Sequence, residues 1–300
     1  MKVFLAGGTG VLGRRAVPAL VAAGHDVTAL SRSPEKDELL RSLGATPVRV
    51  DLFDPVALKE AAGGHDAVVN LATSIPPATK AASPAAWAEN DRIRREGARN
   101  LVDAALAAGS SVYVQESITF NYADGGDAWI DEDSPVEWGL QGAACADAEA
   151  AAARFADSGG RGVVLRFATF YGPDGHHMDD LRRLLARRVA PHVSPDGYIS
   201  SIATEDAATA VAAALASAPS GTWNVGDDEP MVRRAWADAA AEAMGVKRPR
   251  FVLQVAKPVV KRRGEMLLRS QRVSNRRFKE ATGWAPRYPS ARDGFRAFLP

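Results

Sequence analysis

Gly7, Gly10 and Gly13 are spaced three residues apart, between an apolar segment at 2–6 and a helical pattern that begins at Val11. Glycines at this spacing let a chain turn tightly, approach a phosphate closely and pack a helix against a sheet. The start of the following helix adds unpaired N–H groups and the positive end of a dipole. We therefore predict that a dinucleotide pyrophosphate is bound by Gly7, Thr9, Gly10, Val11, Leu12 and Gly13.

The residues after the second apolar segment bear on which dinucleotide is bound. An Asp or Glu at this point usually accepts the ribose 2′-hydroxyl of NAD, whereas this chain has Ser31-Arg32-Ser33. Arg32 can pair with the 2′-phosphate of NADP, with Ser31 and Ser33 as further donors and Arg14 as a second cation. These residues favour NADP(H); the alternative is that Arg32 is a solvated surface residue.

The elements that must position this loop alternate between strands and helices. Apolar runs predict strands over 2–6, 26–30, 47–50, 67–71, 111–114 and 162–166, with helices over 11–23, 85–108 and 143–156. This alternation predicts βαβ units and a Rossmann-type, doubly wound parallel sheet. We expect this domain over 1–172, with a return of the chain at about 199–225, and a smaller, mainly helical substrate-binding lobe over 173–300.

The composition is that of an ordinary globular enzyme. The net charge of +1 offers no case for a nucleic acid or an anionic membrane as partner. No apolar run approaches the about 20 residues that span a membrane. The single cysteine, Cys145, excludes an internal disulfide and fits a reducing compartment. We expect a cytoplasmic monomer or homodimer that acts on a small molecule and binds no metal.

Several later motifs occur in the same order as in a known family. Val50-Asp51-Leu52 follows the third predicted strand, Asn70-Leu71-Ala72 follows the fourth, and Leu165-Arg166 precedes Tyr171-Gly172-Pro173. With the glycine loop, they make the chain resemble the extended short-chain dehydrogenases/reductases of the NAD-dependent epimerase/dehydratase group. The resemblance implies that Asp51 and Leu52 contact the adenine side of the cofactor. It also implies that Leu71, Ala72 and Thr73 contact the cofactor beside the sheet, and that Phe167 and Phe170 lie on its nicotinamide side.

The catalytic residues of that family are only partly present. The resemblance puts Ser117 at the family's serine, but Gln141 and Cys145 at its tyrosine and lysine, and Arg94 at its helix asparagine. No tyrosine in the chain has a lysine four residues later. In the family the tyrosine transfers the proton, while the lysine lowers its pKa and holds the ribose. The resemblance therefore implies a site without this relay, in which Ser117 polarises a carbonyl. Tyr122, the nearest tyrosine after Ser117, is a candidate proton donor; the alternative is that it packs on the substrate.

Three functions remain open at this point. The first is an atypical NADPH-dependent ketoreductase whose proton comes from water, a substrate hydroxyl or another side chain; here the resemblance extends to reductases that tailor aromatic polyketide antibiotics. The second is a sugar-nucleotide epimerase or dehydratase, which the missing tyrosine argues against. The third is a regulator that senses NADP(H) without turnover, against which the retained Ser117 favours an enzyme.

Overall fold

The computed structural model describes residues 1–77, 80, 83–173, 175–252 and 268–299, with only the backbone of Leu140, Gln141, His176 and His177. The strands are β1 (Lys2–Ala6), β2 (Asp26–Ser31), β3 (Thr46–Arg49), β4 (Ala67–Asn70), β5 (Val112–Ile118), β6 (Trp129–Ile130), β7 (Arg161–Phe167), β8 (Thr169–Tyr171), β9 (Tyr198–Ile199), β10 (Ser201–Ala203), β11 (Gly221–Val225), β12 (Met231–Val232) and β13 (Arg272–Val273). The helices are α1 (Gly13–Ala22), α2 (Pro34–Ser42), α3 (Pro55–Ala62), α4 (Ala88–Arg92), α5 (Ala98–Ala107), α6 (Gly139–Asp157), α7 (His176–Ala186), α8 (Thr204–Ser217), α9 (Arg233–Ala243), α10 (Arg276–Thr282) and α11 (Ala291–Phe298).

Seven of these strands form one parallel sheet in the order β3-β2-β1-β4-β5-β7-β11. The order reverses between β1 and β4, which is the arrangement of a Rossmann sheet and opens a crevice at the carboxyl ends of these two strands. Helices α1 and α8 cover one face and α3, α5 and α6 cover the other, each with its own apolar core. The predicted fold class is therefore confirmed.

The strand registers set which residues meet at the edge of this crevice. Ala6, the last residue of β1, is in register with Asn70 of β4, and Asn70 with Gln115 of β5. Two residues further on, Ser117 of β5 lies beside Arg166 of β7. The glycine loop and the polar ends of β5 and β7 thus lie at the same edge of the sheet.

The long helix predicted over 85–108 is interrupted. A turn of π-helix at Ile93–Gly97 separates α4 from α5, and such insertions are frequent at functional sites. Gly97, the last residue of the turn, has no room for a side chain, because a Cβ atom there would lie 2.6 Å from Cδ2 of Leu52. Periodicity alone did not indicate the interruption, since the apolar positions continue on either side of it.

The carboxyl-terminal part of the chain packs in two places. A third apolar core joins α7, α9 and α11 with Tyr171 and Ala203. Phe278 of α10 instead packs into the core that lies under α1 and α8, so residues after 172 contribute to both regions. The predicted division at residue 172 stays a prediction. No helix within the described ranges is both long and apolar enough to cross a membrane.

Asp227, two residues after β11, is 3% exposed, and its carboxylate oxygens have no hydrogen-bond partner among the described groups. Burial, with help from the charges of Asp206 and Asp228, raises its pKa well above the ordinary value, although contact with Tyr171 opposes the shift. An unfolded aspartate ionises near pH 4. The folded protein should therefore lose stability as the pH rises from there through the higher folded pKa.

We predict that Asp227→Asn raises the melting temperature at pH 8 and has little effect near pH 4, where the carboxyl is still largely protonated in the unfolded chain. Each kcal/mol recovered should add about 2–4 °C. Scanning calorimetry at both pH values, with the exposed Asp127→Asn as control, measures the difference. An Asp227→Asn variant that is less stable at pH 8 would show that the carboxylate has a stabilising partner.

Candidate active site

The three glycines of the loop between β1 and α1 are required for different reasons. Gly7 has a φ of +87°, and a Cβ atom there would lie 2.5 Å from the backbone of Leu71. A Cβ atom on Gly13 would collide with the carbonyl oxygen of Gly7. At Gly10 it would meet only that same oxygen, at 3.3 Å. The protein itself thus excludes side chains at positions 7 and 13, whereas the open side of Gly10 fits a cradle for a bound phosphate.

The remaining loop residues differ in what they offer a ligand. Val11 is 38% exposed although it is apolar, whereas the side chain of Leu12 is buried in the core, which leaves only its backbone for a contact. Arg14 is exposed, and its Nε donates to the carbonyl of Thr9 (3.1 Å). The arginine therefore braces the loop at the start of α1.

The end of β2 carries the predicted 2′-phosphate contacts. Arg32 is exposed, and Asp37 is paired with Arg49 at 2.6 Å, which lowers the pKa of Asp37. The Ser31 hydroxyl donates to the carbonyl of Ser33 (3.2 Å), and the Ser33 hydroxyl accepts from the N–H of residue 36 as the cap of α2. The Ser31 proton is thus directed within the chain, the Ser33 hydroxyl serves as an acceptor, and Arg32 is exposed to solvent.

The polar end of β4 holds the next part of the crevice together. The Asn70 amide donates to Oε1 of Gln115 (3.0 Å) and its oxygen accepts from the N–H of Ala72 (3.1 Å). Leu71 is buried, Ala72 is half-buried and Thr73 is exposed. Asn70 therefore joins the end of β4 to β5 and to the segment that follows β4.

The loop after β3 contains the residues predicted to contact the adenine side. Asp51 is exposed and accepts from the N–H of Phe53 (3.0 Å). Leu52 is half-buried against Gly97, and its carbonyl accepts from Asn100 (3.1 Å). The π-turn therefore packs against this loop.

Ser117 lies at the end of β5 with no exposed surface. Its hydroxyl donates to Oε1 of Glu149 on α6 at 2.6 Å. Arg166 donates two hydrogen bonds to the same carboxylate, at 2.9 and 2.7 Å. Burial alone would lower the pKa of Arg166, but the pairing with Glu149 outweighs it and raises the pKa. Because the single hydroxyl proton of Ser117 is directed to Glu149, it does not face a substrate in this structure. The prediction that Ser117 polarises a carbonyl therefore needs a rotation of that hydroxyl.

A second buried ion pair lies beside the first. Arg94, in the π-turn, is 1% exposed and approaches Glu116 at 2.9 and 3.0 Å. Cys145 of α6 is 1% exposed. Burial raises the pKa of its thiol, while the charge of Arg94 opposes and that of Glu116 reinforces this shift. The position aligned with the family's lysine thus holds a small neutral side chain next to an arginine from another helix.

Tyr122 does not fit the catalytic role predicted for it. The side chain is fully buried, its hydroxyl donates to Oδ1 of Asn224 (2.8 Å), and the guanidinium of Arg166 lies 4.9 Å from the ring centroid. Burial raises the pKa of this hydroxyl to about 12. Tyr122 therefore links β11 to the loop after β5, and a substrate would not reach its proton.

The remaining predicted residues complete the edge of the sheet. Phe167 is buried in the core beneath Phe170, with ring centroids 5.4 Å apart, and Phe170 is half-buried. The side chain of Gln141, aligned with the family's tyrosine, lies outside the described residues. In the described ranges there is no group of three side chains suited to bind a metal.

Sequence reasoning identified Ser117, Arg94 and Arg166 singly but missed the carboxylates that bind them, Glu116 and Glu149. The signal was a charged residue in a buried context: Arg166 ends an apolar strand, and Glu149 lies in an alanine-rich helix. Buried charges are rarely found without a partner. That rule would have indicated ion pairs here, although only the fold shows which residues are joined.

Comparison with known proteins supports the resemblance. The model of the NAD dependent epimerase/dehydratase family matches residues 3–226. A Streptomyces protein named 3-diazoavenalumate denitrifying reductase is 34% identical over 98% of this chain and 99% of its own length. A Stigmatella aurantiaca 4-hydroxy-2-methyl-3-oxo-4-farnesyl-3,4-dihydroquinoline-1-oxide ketoreductase is 42% identical over 24% of this chain and 22% of its own.

The fold is also found among solved structures. A human epimerase family protein, determined with NADPH, superimposes with a TM-score of 0.80 at 24% identity, covering 100% of this chain and 99% of the human one. At this identity the likeness concerns the fold alone.

We predict that Gly10→Val abolishes binding of a nicotinamide dinucleotide and lowers the melting temperature only slightly, because within the loop its Cβ atom meets one carbonyl oxygen, that of Gly7, at 3.3 Å. Gly13→Val should instead lower the melting temperature strongly, since its side chain collides with the loop itself. Nicotinamide fluorescence and thermal denaturation of both variants give the two readouts. Near-normal binding by a folded Gly10→Val protein would mean that the phosphate lies elsewhere.

Proposed function

Because the chain belongs to the NAD dependent epimerase/dehydratase family, we propose that it is an NADPH-dependent reductase of a small molecule whose reacting group needs no proton from a tyrosine–lysine pair. The proposal rests on the acidic groups around Ser117, which are already paired with cations. The carboxylates of Glu116 and Glu149 are held by arginines, and no lysine follows on α6.

A nicotinamide cofactor supplies hydride when it is bound. In this proposal the glycine loop holds its pyrophosphate, and Arg32 holds the 2′-phosphate with Lys36 nearby. The proximity of the Lys36 and Arg32 charges is reflected in a lowered pKa of Lys36, to which burial contributes most. Arg32 and Lys36 are two cations at this point, and the negative charge of Asp37 is balanced by Arg49. This arrangement favours a phosphate over a bare ribose hydroxyl.

The side chains near Ser117 offer few transferable protons. The Ser117 hydroxyl is bonded to Glu149, and the Tyr122 hydroxyl is buried against Asn224. The Cys145 thiol is buried with a raised pKa. An efficient acid at neutral pH needs a pKa near 7 and access to the substrate. The site therefore favours an acceptor whose reduction is complete without a proton from the protein.

A diazo group is the first candidate for such an acceptor, and the activity named for the Streptomyces relative supports it. When hydride reaches a carbon that bears a diazonium group, a C–H bond forms, the C–N bond breaks and N₂ leaves with the bonding electron pair. One hydride is consumed for each N₂ released, and the charges balance without a proton. The reaction would then not require the missing tyrosine and lysine.

A ketone is the second candidate, and the shorter match to a ketoreductase supports it. Reduction of a ketone consumes one hydride and one proton. In this site the proton would come from an acidic hydroxyl of the substrate or from water, as the sequence suggested. Ser117 would need to turn its hydroxyl from Glu149 toward the carbonyl.

We predict that NADPH binds more tightly than NADH and that Arg32→Ala weakens NADPH binding by about ten- to a hundredfold, the value of a lost charge-assisted contact. NADH binding should change little. Titration of nicotinamide fluorescence measures both affinities. Arg41→Ala, which removes an exposed charge from the same helix α2, is the matched control, and equal affinities of the unaltered protein for NADPH and NADH would contradict the assignment.

The reaction itself can be tested with NADPH deuterated at C4 and 3-diazo-4-hydroxybenzoate as a probe. We predict one N₂ released per NADPH oxidised and one deuterium on the ring carbon that carried the diazo group. Gly10→Val measures the uncatalysed background. Tyr122→Phe should lower stability but leave the rate of hydride transfer nearly unchanged, since this hydroxyl is bonded to Asn224.

Two other outcomes would favour a different function. Reduction of 2′-hydroxyacetophenone, but of neither its methyl ether nor the diazo acid, would favour the second candidate. Tight NADPH binding with no turnover of any probe would contradict the reductase and favour a sensor of NADP(H).

A further inference from the structure

Arg92, the last residue of α4, is stacked on an aromatic ring. Its Cζ atom lies 3.6 Å from the centroid of the Phe53 ring. At this separation the guanidinium plane lies flat on the ring, because an edge-on approach would place a nitrogen atom between Cζ and the ring face. A guanidinium stacked in this way directs its N–H groups outward in its own plane and presents its second face to whatever lies opposite.

The edge of the same guanidinium is fixed by an ion pair. Nε of Arg92 donates to Oε2 of Glu96 at 2.9 Å, and Nη2 lies 3.5 Å from Oε1. The Arg92 side chain is nevertheless 50% exposed. An exposed ion pair of this kind contributes little to stability. The ring and the carboxylate therefore fix the orientation of a flat cation whose outer face is accessible.

This cation adjoins an apolar surface at the carboxyl ends of the strands. Leu30, Leu52 and Ala72 lie at or just beyond the ends of β2, β3 and β4, and all three are half-buried on the apolar core under α3, α5 and α6. Phe53 follows Leu52 directly in the loop after β3. The three apolar side chains thus form the floor of a surface that Phe53 and Arg92 border.

A Rossmann-bound dinucleotide brings its base to this region. The 2′ position of its adenosine ribose lies at the end of β2, where Arg32 is proposed to hold the phosphate. The base is attached to the neighbouring carbon of that ribose. β3 pairs with β2, with Ser31 in register with Arg49, and paired strands are about 4.8 Å apart. The loop that carries Phe53 is therefore within reach of the base.

We infer that the outer face of the Arg92 guanidinium stacks on the adenine ring of the bound dinucleotide, with Phe53 behind it and Glu96 fixing its orientation. The inference rests on the proposed binding of NADPH and adds a contact that does not involve the 2′-phosphate. Arginine faces stack on nucleobases and attract them by cation–π interaction. Arg32 then selects the phosphate, and Arg92 binds the part that NADPH and NADH share.

The test compares the affinities of variants for NADPH and NADH, measured by nicotinamide fluorescence, and for 2′,5′-ADP, measured by displacement. We expect Arg92→Ala to weaken all three ligands by about five- to tenfold. Arg32→Ala should weaken NADPH and 2′,5′-ADP but not NADH. Arg95→Ala removes a cation of similar exposure (49%) from the adjoining π-turn, and as the matched control it should change none of the three affinities.

Two further measurements separate stacking from charge. Arg92→Lys keeps the charge but loses the flat face, so it should bind both dinucleotides as weakly as Arg92→Ala. Because adenine is uncharged, the ratio of the affinities of the unaltered protein and Arg92→Ala should not change when the salt is raised from about 0.05 M to about 0.5 M. For Arg32→Ala the corresponding ratio for NADPH should fall. Since Arg92 is half-exposed, its variants should melt within about 3 °C of the unaltered protein.

Unchanged dinucleotide affinity in Arg92→Ala would overturn the inference. A loss confined to NADPH would also overturn it, because it would assign Arg92 to the 2′-phosphate, and full affinity in Arg92→Lys would show that charge alone is sufficient. Failure of the unaltered protein to bind either dinucleotide would be a different result, since it would contradict the proposed function and the inference with it.

Discussion

At the carboxyl end of β5, the guanidinium groups of Arg94 and Arg166 each face a carboxylate at hydrogen-bond distance, in a region where none of the four side chains is more than 11% exposed. Removing either partner from such a pair leaves a buried charge and costs about 3–5 kcal/mol. The helices on this face are therefore constrained around Glu116 and Glu149.

The same constraint limits the chemistry. Two cations and two anions cancel, and Ser117 directs its proton to one of the anions. A frame that positions a nicotinamide cofactor is thus combined with a site that has few protons to give. In the family arrangement an ammonium activates a tyrosine; here the positive charges are already neutralised. An electrophile that accepts hydride and then expels a neutral leaving group matches these surroundings better than one that must become an alcohol.

The sequence was sufficient to predict the Rossmann sheet, because strand–loop–helix alternation and the glycine spacing are local signals. It was insufficient at β5: the strand was predicted to end at residue 114, but in the structure it continues to Ile118. Gln115, Glu116 and Ser117 look like loop residues until their partners are known. Those partners are Asn70 on β4, Arg94 in the π-turn and Glu149 on α6, all distant in the chain, so only tertiary structure brings them together. The partner of Tyr122 was hidden for the same reason, since Asn224, which accepts its hydroxyl proton, follows 102 positions later.

In the proposed reaction no side chain of this protein donates a proton during hydride transfer. Its most direct test is the single-turnover rate of NADPH oxidation as a function of pH, measured in H₂O and D₂O with whichever acceptor is reduced. We expect a rate that does not titrate with any protein group between about pH 6 and about pH 9, and Ser117→Ala and Tyr122→Phe should leave the profile unchanged. A bell-shaped or sigmoidal profile whose apparent pKa shifts in either variant, with a solvent isotope effect, would contradict it.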